Sequence, residues 1–249
     1  PVDCLLKVFN ALHVVIFRPQ TFIMRNVNRQ SGGSCQMLAQ FSESKNIDSR
    51  QIVPADLLLQ HLQAGRAGKV SLTNLAVGGT STPWGLTKVS EVVAAKPDLV
   101  LLAFGMNDSA GRPVSEYRSN MAEMLRLIRE GAPETEFILI ATMRGNADWV
   151  TLKQELFDGY RDALQELTGP GVALADLTSI WTEFLKRKQD ADLTGNGVNH
   201  PNDFGHRVYG QVLASLLLPV VNAKPFEVRL WPEQAPNGDQ TFEESDAKM

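Results

Sequence analysis

Between residues 70 and 218 the chain alternates short apolar runs with longer stretches whose apolar residues recur every three or four positions. This alternation constrains the fold more than any other feature. Leu99-Val100-Leu101-Leu102-Ala103-Phe104 and Phe137-Ile138-Leu139-Ile140-Ala141 have strand length and no polar interruption, the pattern of strands buried on both faces. Val70 to Val77 and Val172-Ala173-Leu174-Ala175 read as two more strands. Between them, Val114, Tyr117, Met121, Met124, Leu125 and Ile128 mark one face of a helix that Gly131 ends. Further helices are expected from a Ser81 or Thr82 cap to Ala95, over 147–167, from about Ser179, and over 203–218. Upstream, Pro54 opens a helix carrying Leu57, Leu58 and Leu62, which Gly65 ends. Strands and helices in this order imply an α/β fold, with a parallel sheet between helical layers.

Composition narrows the function classes. With 43% apolar residues and a net charge of −4, the chain can bury a core and is not of the disordered class. No stretch reaches the ~18 uninterrupted apolar residues that a membrane span needs. A pI near 5.6 does not fit a nucleic-acid surface, which is usually basic. Two cysteines, Cys4 and Cys35, and four histidines without a close cluster predict no disulfide scaffold and no protein-built metal centre. Residues 1–50 stand apart: six basic and three acidic residues give them a net charge of +3, which leaves 18 basic and 25 acidic residues in the rest. With Pro1 in first place, a missing or processed start is expected there. The expected organisation is an atypical segment over 1–50 that can include strand one, a main domain over 51–221, and a polar extension over 222–249.

Parallel sheets of this kind bind ligands at the carboxyl ends of their strands. Four polar, glycine-containing segments follow strands or precede the last helix: Gly78-Gly79-Thr80, Gly105-Met106-Asn107-Asp108, Met143-Arg144-Gly145-Asn146, and Asn196 to His206. They are expected on one rim. Together they offer an imidazole suited to general-base work at neutral pH (His200), an amide donor (Asn107), and a backbone N–H that only glycine leaves open (Gly79). An amide and a glycine N–H can stabilise a developing oxyanion. The nucleophile must come from upstream of residue 70. Trp84 and Trp149 lie on rim-side segments where an indole can stack on a sugar or pack on the protein, Arg144 can meet an anionic group or solvent, and Asp108 reads as a turn or helix cap.

Three of these segments resemble conserved blocks of the SGNH/GDSL hydrolases. Asn74 to Thr80 resembles the second block, an Asn followed five residues later by an oxyanion-hole glycine. Gly105-Met106-Asn107-Asp108 resembles the third, Gly-x-Asn-Asp, and Val198 to His206 resembles the fifth, around the base histidine. They occur in order over roughly residues 70–218. The resemblance implies a flavodoxin-like, three-layer α/β/α sandwich and a serine esterase without a cofactor. Its implied substrates are small-molecule or carbohydrate esters, among them O-acetyl groups on sugars. It also implies His200 as base, with Gly79 and Asn107 as the oxyanion hole.

Two features depart from the family pattern. No Gly-Asp-Ser occurs at the end of a first strand. Ser34, in a small-residue turn, and Ser44, after the strand-like Met37-Leu38-Ala39-Gln40-Phe41, are the candidate nucleophiles; if Val14-Val15-Ile16-Phe17 is strand one, Arg18-Pro19-Gln20 stands at the site and there is none. The family's acid, three residues before the histidine, is replaced by Gly197; Asn196 and Asn199 are near, and Asp192 reaches His200 only if the loop folds back. A Ser–His dyad, or a triad with an unconventional third member, is expected. The alternatives are an inactive SGNH-like domain serving as a binding or structural module, and an acyltransferase working through the same site.

Overall fold

The computed structural model describes residues 35–41 and 70–217, which belong to one compact unit. Five parallel strands form its sheet: β1 (Cys35–Phe41), β2 (Val70–Asn74), β3 (Leu99–Ala103), β4 (Glu136–Ala141) and β5 (Val172–Asp176), in the order β2-β1-β3-β4-β5. This is the flavodoxin-like order, which changes direction between β1 and β3 and opens a crevice at their carboxyl ends. The register sets Phe41 beside Ala103 at that point.

β3 and β4 are buried along their whole length, as their unbroken apolar sequences require. Alternate residues serve opposite faces. Leu99, Leu101, Ile138, Ile140 and Ala175 pack under α5 (Leu177–Leu185) and α6 (Asp203–Leu217). Val100, Leu102, Phe137, Leu139 and Val172 pack under α2 (Val89–Ala95), α3 (Val114–Gly131) and α4 (Gln154–Glu166). A short α1 (Thr82–Thr87) precedes α2. The result is the expected three-layer sandwich. Among the described residues no helix is long and apolar enough to cross a membrane, and no group of three or more His, Cys, Asp or Glu side chains gathers to hold a metal ion.

Several boundaries differ from expectation for local reasons. β2 stops at Asn74, because the Asn74 Oδ1 accepts the Ala76 N–H at 2.9 Å and turns the chain. The helix expected over 82–95 is two helices that meet at Lys88, whose N–H bonds the Gly85 carbonyl. The helix expected over 147–167 begins only at Gln154. Asn146 takes the Asp148 N–H on its side-chain oxygen and the Trp149 N–H on its carbonyl, so these donors close a turn instead of a helix. Met37 to Phe41, expected as a strand, lies within β1, between β2 and β3. Val14 to Phe17, the helix from Pro54, both candidate serines and the extension over 222–249 lie outside the described residues.

Candidate active site

The donor loops meet first. Gly79 sits at φ +78°, a left-handed conformation that favours glycine, and is exposed. One residue on, the Thr80 carbonyl accepts from Asn107 Nδ2 at 2.9 Å. Behind this bond lies a second. The Asp108 carboxylate, fully buried, accepts the Thr82 backbone N–H at 3.1 Å and the Thr82 hydroxyl at 2.6 Å. Arg112 Nε donates to the same carboxylate at 2.7 Å, and Asn120 Nδ2 donates to the Thr82 hydroxyl. Asp108 thus caps α1 from another loop, where local sequence pointed to Ser81 or Thr82. Ser81 occupies the cap position and makes no side-chain cap bond. A carboxylate on a helix N-terminus satisfies otherwise unpaired N–H groups and complements the helix dipole. Tyr160 Oη bonds the Asp108 and Arg112 carbonyls and so secures this loop from α4.

The His200 loop is built just as locally. Asn196 Oδ1 accepts three successive backbone N–H groups, those of Val198, Asn199 and His200, each at 3.0 Å. Asn202 caps α6 by accepting the Gly205 N–H, while its Nδ2 holds the Asp192 carbonyl. Asn146 then ties this loop to the end of β4: its N–H bonds the Val198 carbonyl at 2.6 Å and its Nδ2 the Gly197 carbonyl at 2.8 Å. Next to it, a Cβ built on Gly145 would overlap Leu152 and stand 3.4 Å from Met106 Sδ and 3.5 Å from the Val198 oxygen. Leu152 is thus what excludes a side chain at 145, while Met106 from the Asn107 loop and Val198 from the histidine loop both border this glycine at ordinary contact distance.

His200 is half-buried, and burial holds its imidazole below the usual histidine range, so the neutral form prevails at pH 7. His206, on α6, is buried and shifted the same way by burial, with Asp203 opposing. The Asp192 carboxylate accepts the Gln189 N–H in a capping box and is committed there. Arg144 is neither solvated nor open to an anion: it bonds the Thr182 hydroxyl, the Gln154 carbonyl and Asp158. Trp84 packs partly buried against the core with Lys88 over its ring, while Trp149 stands exposed. The structure thus brings Thr80, the neighbour of Gly79, to Asn107 and the His200 loop to Asn146 and Gly145; Ser34 and Ser44 lie outside the described residues. Sequence reading missed the roles of Thr82 and Asn146 as tethers, for which a polar residue on the rim was the only signal.

A parallel sheet of this order, with donors and an imidazole on loops at its carboxyl rim, is the framework of an α/β/α hydrolase. Residues 51–208 match the model of the GDSL-like lipase/acylhydrolase family. The chain belongs to that family and is a carboxylic ester hydrolase of the SGNH type. No curated protein sequence matches it. Solved structures similar to it include a catalytic mutant of an acetylxylan esterase from Geobacillus stearothermophilus (17% identity, 78% of this chain and 98% of that one covered, TM-score 0.63). They also include a lipase/acylhydrolase from Enterococcus faecalis (20%, 74% and 94%, TM-score 0.60). A carbohydrate esterase family 3 protein from Talaromyces cellulolyticus is similar too (16%, 74% and 95%, TM-score 0.56).

Proposed function

We propose that the enzyme removes O-acetyl groups from carbohydrates through a serine acyl-enzyme, with His200 as base and the Gly79 N–H and the Asn107 amide as oxyanion donors. Ser44 Oγ attacks the ester carbonyl and its proton passes to His200 Nε2. The carbonyl oxygen becomes an oxyanion facing the two donors. As the intermediate collapses, His200 protonates the leaving alcohol. It then takes a proton from water as the water oxygen attacks the acetyl carbon, and returns that proton to the Ser44 oxygen as the Oγ–C bond breaks, which releases acetate and the free serine. No cofactor enters these steps.

The observation that carries this reading is the Asn107–Thr80 bond, which holds both donor segments together at the end of β3. β3 lies beside β1, and their register pairs Ala103 with Phe41. Ser42-Glu43-Ser44 follows Phe41 directly, where the family carries Gly-Asp-Ser. Three residues span at most about 11 Å. Ser34 instead precedes Cys35, the first residue of β1, in the sequence. Gly197 stands where the family has its acid and the Asp192 carboxylate accepts the Gln189 N–H in its own capping box, which supports a dyad over a triad. The carbohydrate substrate rests on the esterases among the similar structures, which share this fold.

The test is release of acetate from ethyl acetate and from an O-acetylated xylo-oligosaccharide by the wild type and by Ser34→Ala, Ser44→Ala and His200→Ala. Loss of activity in the last two, and its retention in Ser34→Ala, is the expected result. Activity equal to wild type in His200→Ala would remove the proposed base. A covalent serine probe identifies the nucleophile independently: label found on Ser44 by mass spectrometry is the expected result, and label on another serine, or a folded protein without label, overturns the role proposed for Ser44.

A further inference from the structure

We infer that Trp149, with Val150 beside it, is a platform for the sugar ring on the alcohol side of the scissile ester. The inference rests on the esterase reading above. Among the described residues these two are the large apolar side chains left exposed, at 49% and 92%. Contiguous exposed apolar surface can serve ligand or partner contacts, and the backbone bonds of the turn connect this pair to the His200 loop.

The platform is rigid. Trp149 N–H bonds the Asn146 carbonyl, the Trp149 carbonyl accepts the Leu152 N–H at 2.9 Å, and the Leu152 side chain is anchored in the core. The indole is thus carried on a pinned turn, so it can bind with little ordering cost. The same Asn146 holds Gly197 and Val198, two to three residues before His200.

That connection decides which part of the ester the indole meets. A base histidine in an acyl transfer returns its proton to the leaving oxygen, so the leaving alcohol lies on the histidine side and the acyl group on the oxyanion side. Trp149 is tethered to the histidine loop, whereas Gly79 and Asn107 are tethered to each other. Its open setting, with Val150 almost wholly solvated, offers a flat face and not the channel that an acyl chain requires. Asp148, next to it in the chain, disfavours an anionic ligand. A neutral, hydroxylated ring with a C–H face fits these conditions.

The experiment measures kcat/KM for ethyl acetate and for the same acetylated oligosaccharide with wild type, Trp149→Ala, Trp149→Phe and His200→Ala. The expected result is a fall of about tenfold in the ratio of oligosaccharide to ethyl acetate in Trp149→Ala, through a raised KM, with most of the ratio restored in Trp149→Phe. An unchanged ratio overturns the platform and leaves the esterase reading intact, and so does a wild type that cleaves ethyl acetate but not the oligosaccharide. A self-association that Trp149→Ala abolishes, with the ratio unchanged, also overturns it and makes the patch a contact between copies. If the wild type cleaves neither ester, or His200→Ala cleaves both as well as wild type, the esterase reading itself fails and the platform with it.

Discussion

Asp108 and Thr82, 26 residues apart, share two hydrogen bonds in the interior: the carboxylate takes both the backbone N–H and the hydroxyl of the threonine. This pair locks the loop after β2 to the loop after β3, one residue from Asn107. In the proposed reaction those loops hold the oxyanion donors, so fold stability and catalytic geometry depend on the same carboxylate.

Asp108→Asn tests that dependence. The amide keeps one acceptor but loses the charge that Arg112 meets and turns N–H groups toward Thr82 donors. A loss of about 1–3 kcal/mol in unfolding free energy is expected, as for a buried group left unsatisfied, with a fall in kcat larger than the change in KM. Urea denaturation and steady-state kinetics on one preparation check both, and wild-type kcat in a destabilised variant would separate the carboxylate from the donor geometry.

Asn107→Ala removes the proposed oxyanion donor together with the tether to Thr80. A decrease of about 10²- to 10³-fold in kcat, with KM little changed, is the expected outcome. Retention of kcat within threefold would mean that the amide only shapes the turn.

The pH profile follows from His200. Burial disfavours the imidazolium, which lowers the folded-state value beneath the ordinary 6.5. The base acts only when neutral, so kcat/KM rises with pH along an acid limb whose midpoint lies below 6.5. An initial-rate series in buffers of constant ionic strength measures the limb; a midpoint above 6.5 contradicts the burial of the working imidazole.

Asn196 separates positioning from stability. Its Oδ1 gathers the N–H groups of Val198, Asn199 and His200 in an exposed loop. In Asn196→Ala water can take over those donors, so Tm should move by only a few degrees while kcat falls about tenfold or more through a displaced His200. Asn196→Asp keeps the acceptor and should keep most of the activity. Equal kcat in wild type and Asn196→Ala would show that the loop needs no such anchor.

The strands and helices could be read directly because their signals are local. An unbroken run such as Leu99 to Phe104 can be hidden from water only inside a sheet, and the spacing of Tyr117, Met121, Met124 and Ile128 fits only one face of a helix. Reading failed where a side chain captured backbone groups. The helix expected over 147–167 took in Trp149 and Val150, yet Asn146 closes a turn there and both stand exposed. Ser81 stood at a cap position, and a distant carboxylate did the capping.

By itself the amino-acid sequence determined the class of fold, the order of the segments on the rim and the residue types on them, since apolar period and short motifs are written over a few neighbouring positions. Only the tertiary structure decided which loops meet: β1 beside β3 with Phe41 at Ala103, Asn107 on Thr80, Asn146 on Gly197, Asp192 turned to its own cap. The first three of these join residues that are far apart in the chain, and no local propensity encodes them. They arise when the packed sheet fixes the strand ends and each buried or half-buried polar group must find a partner within reach.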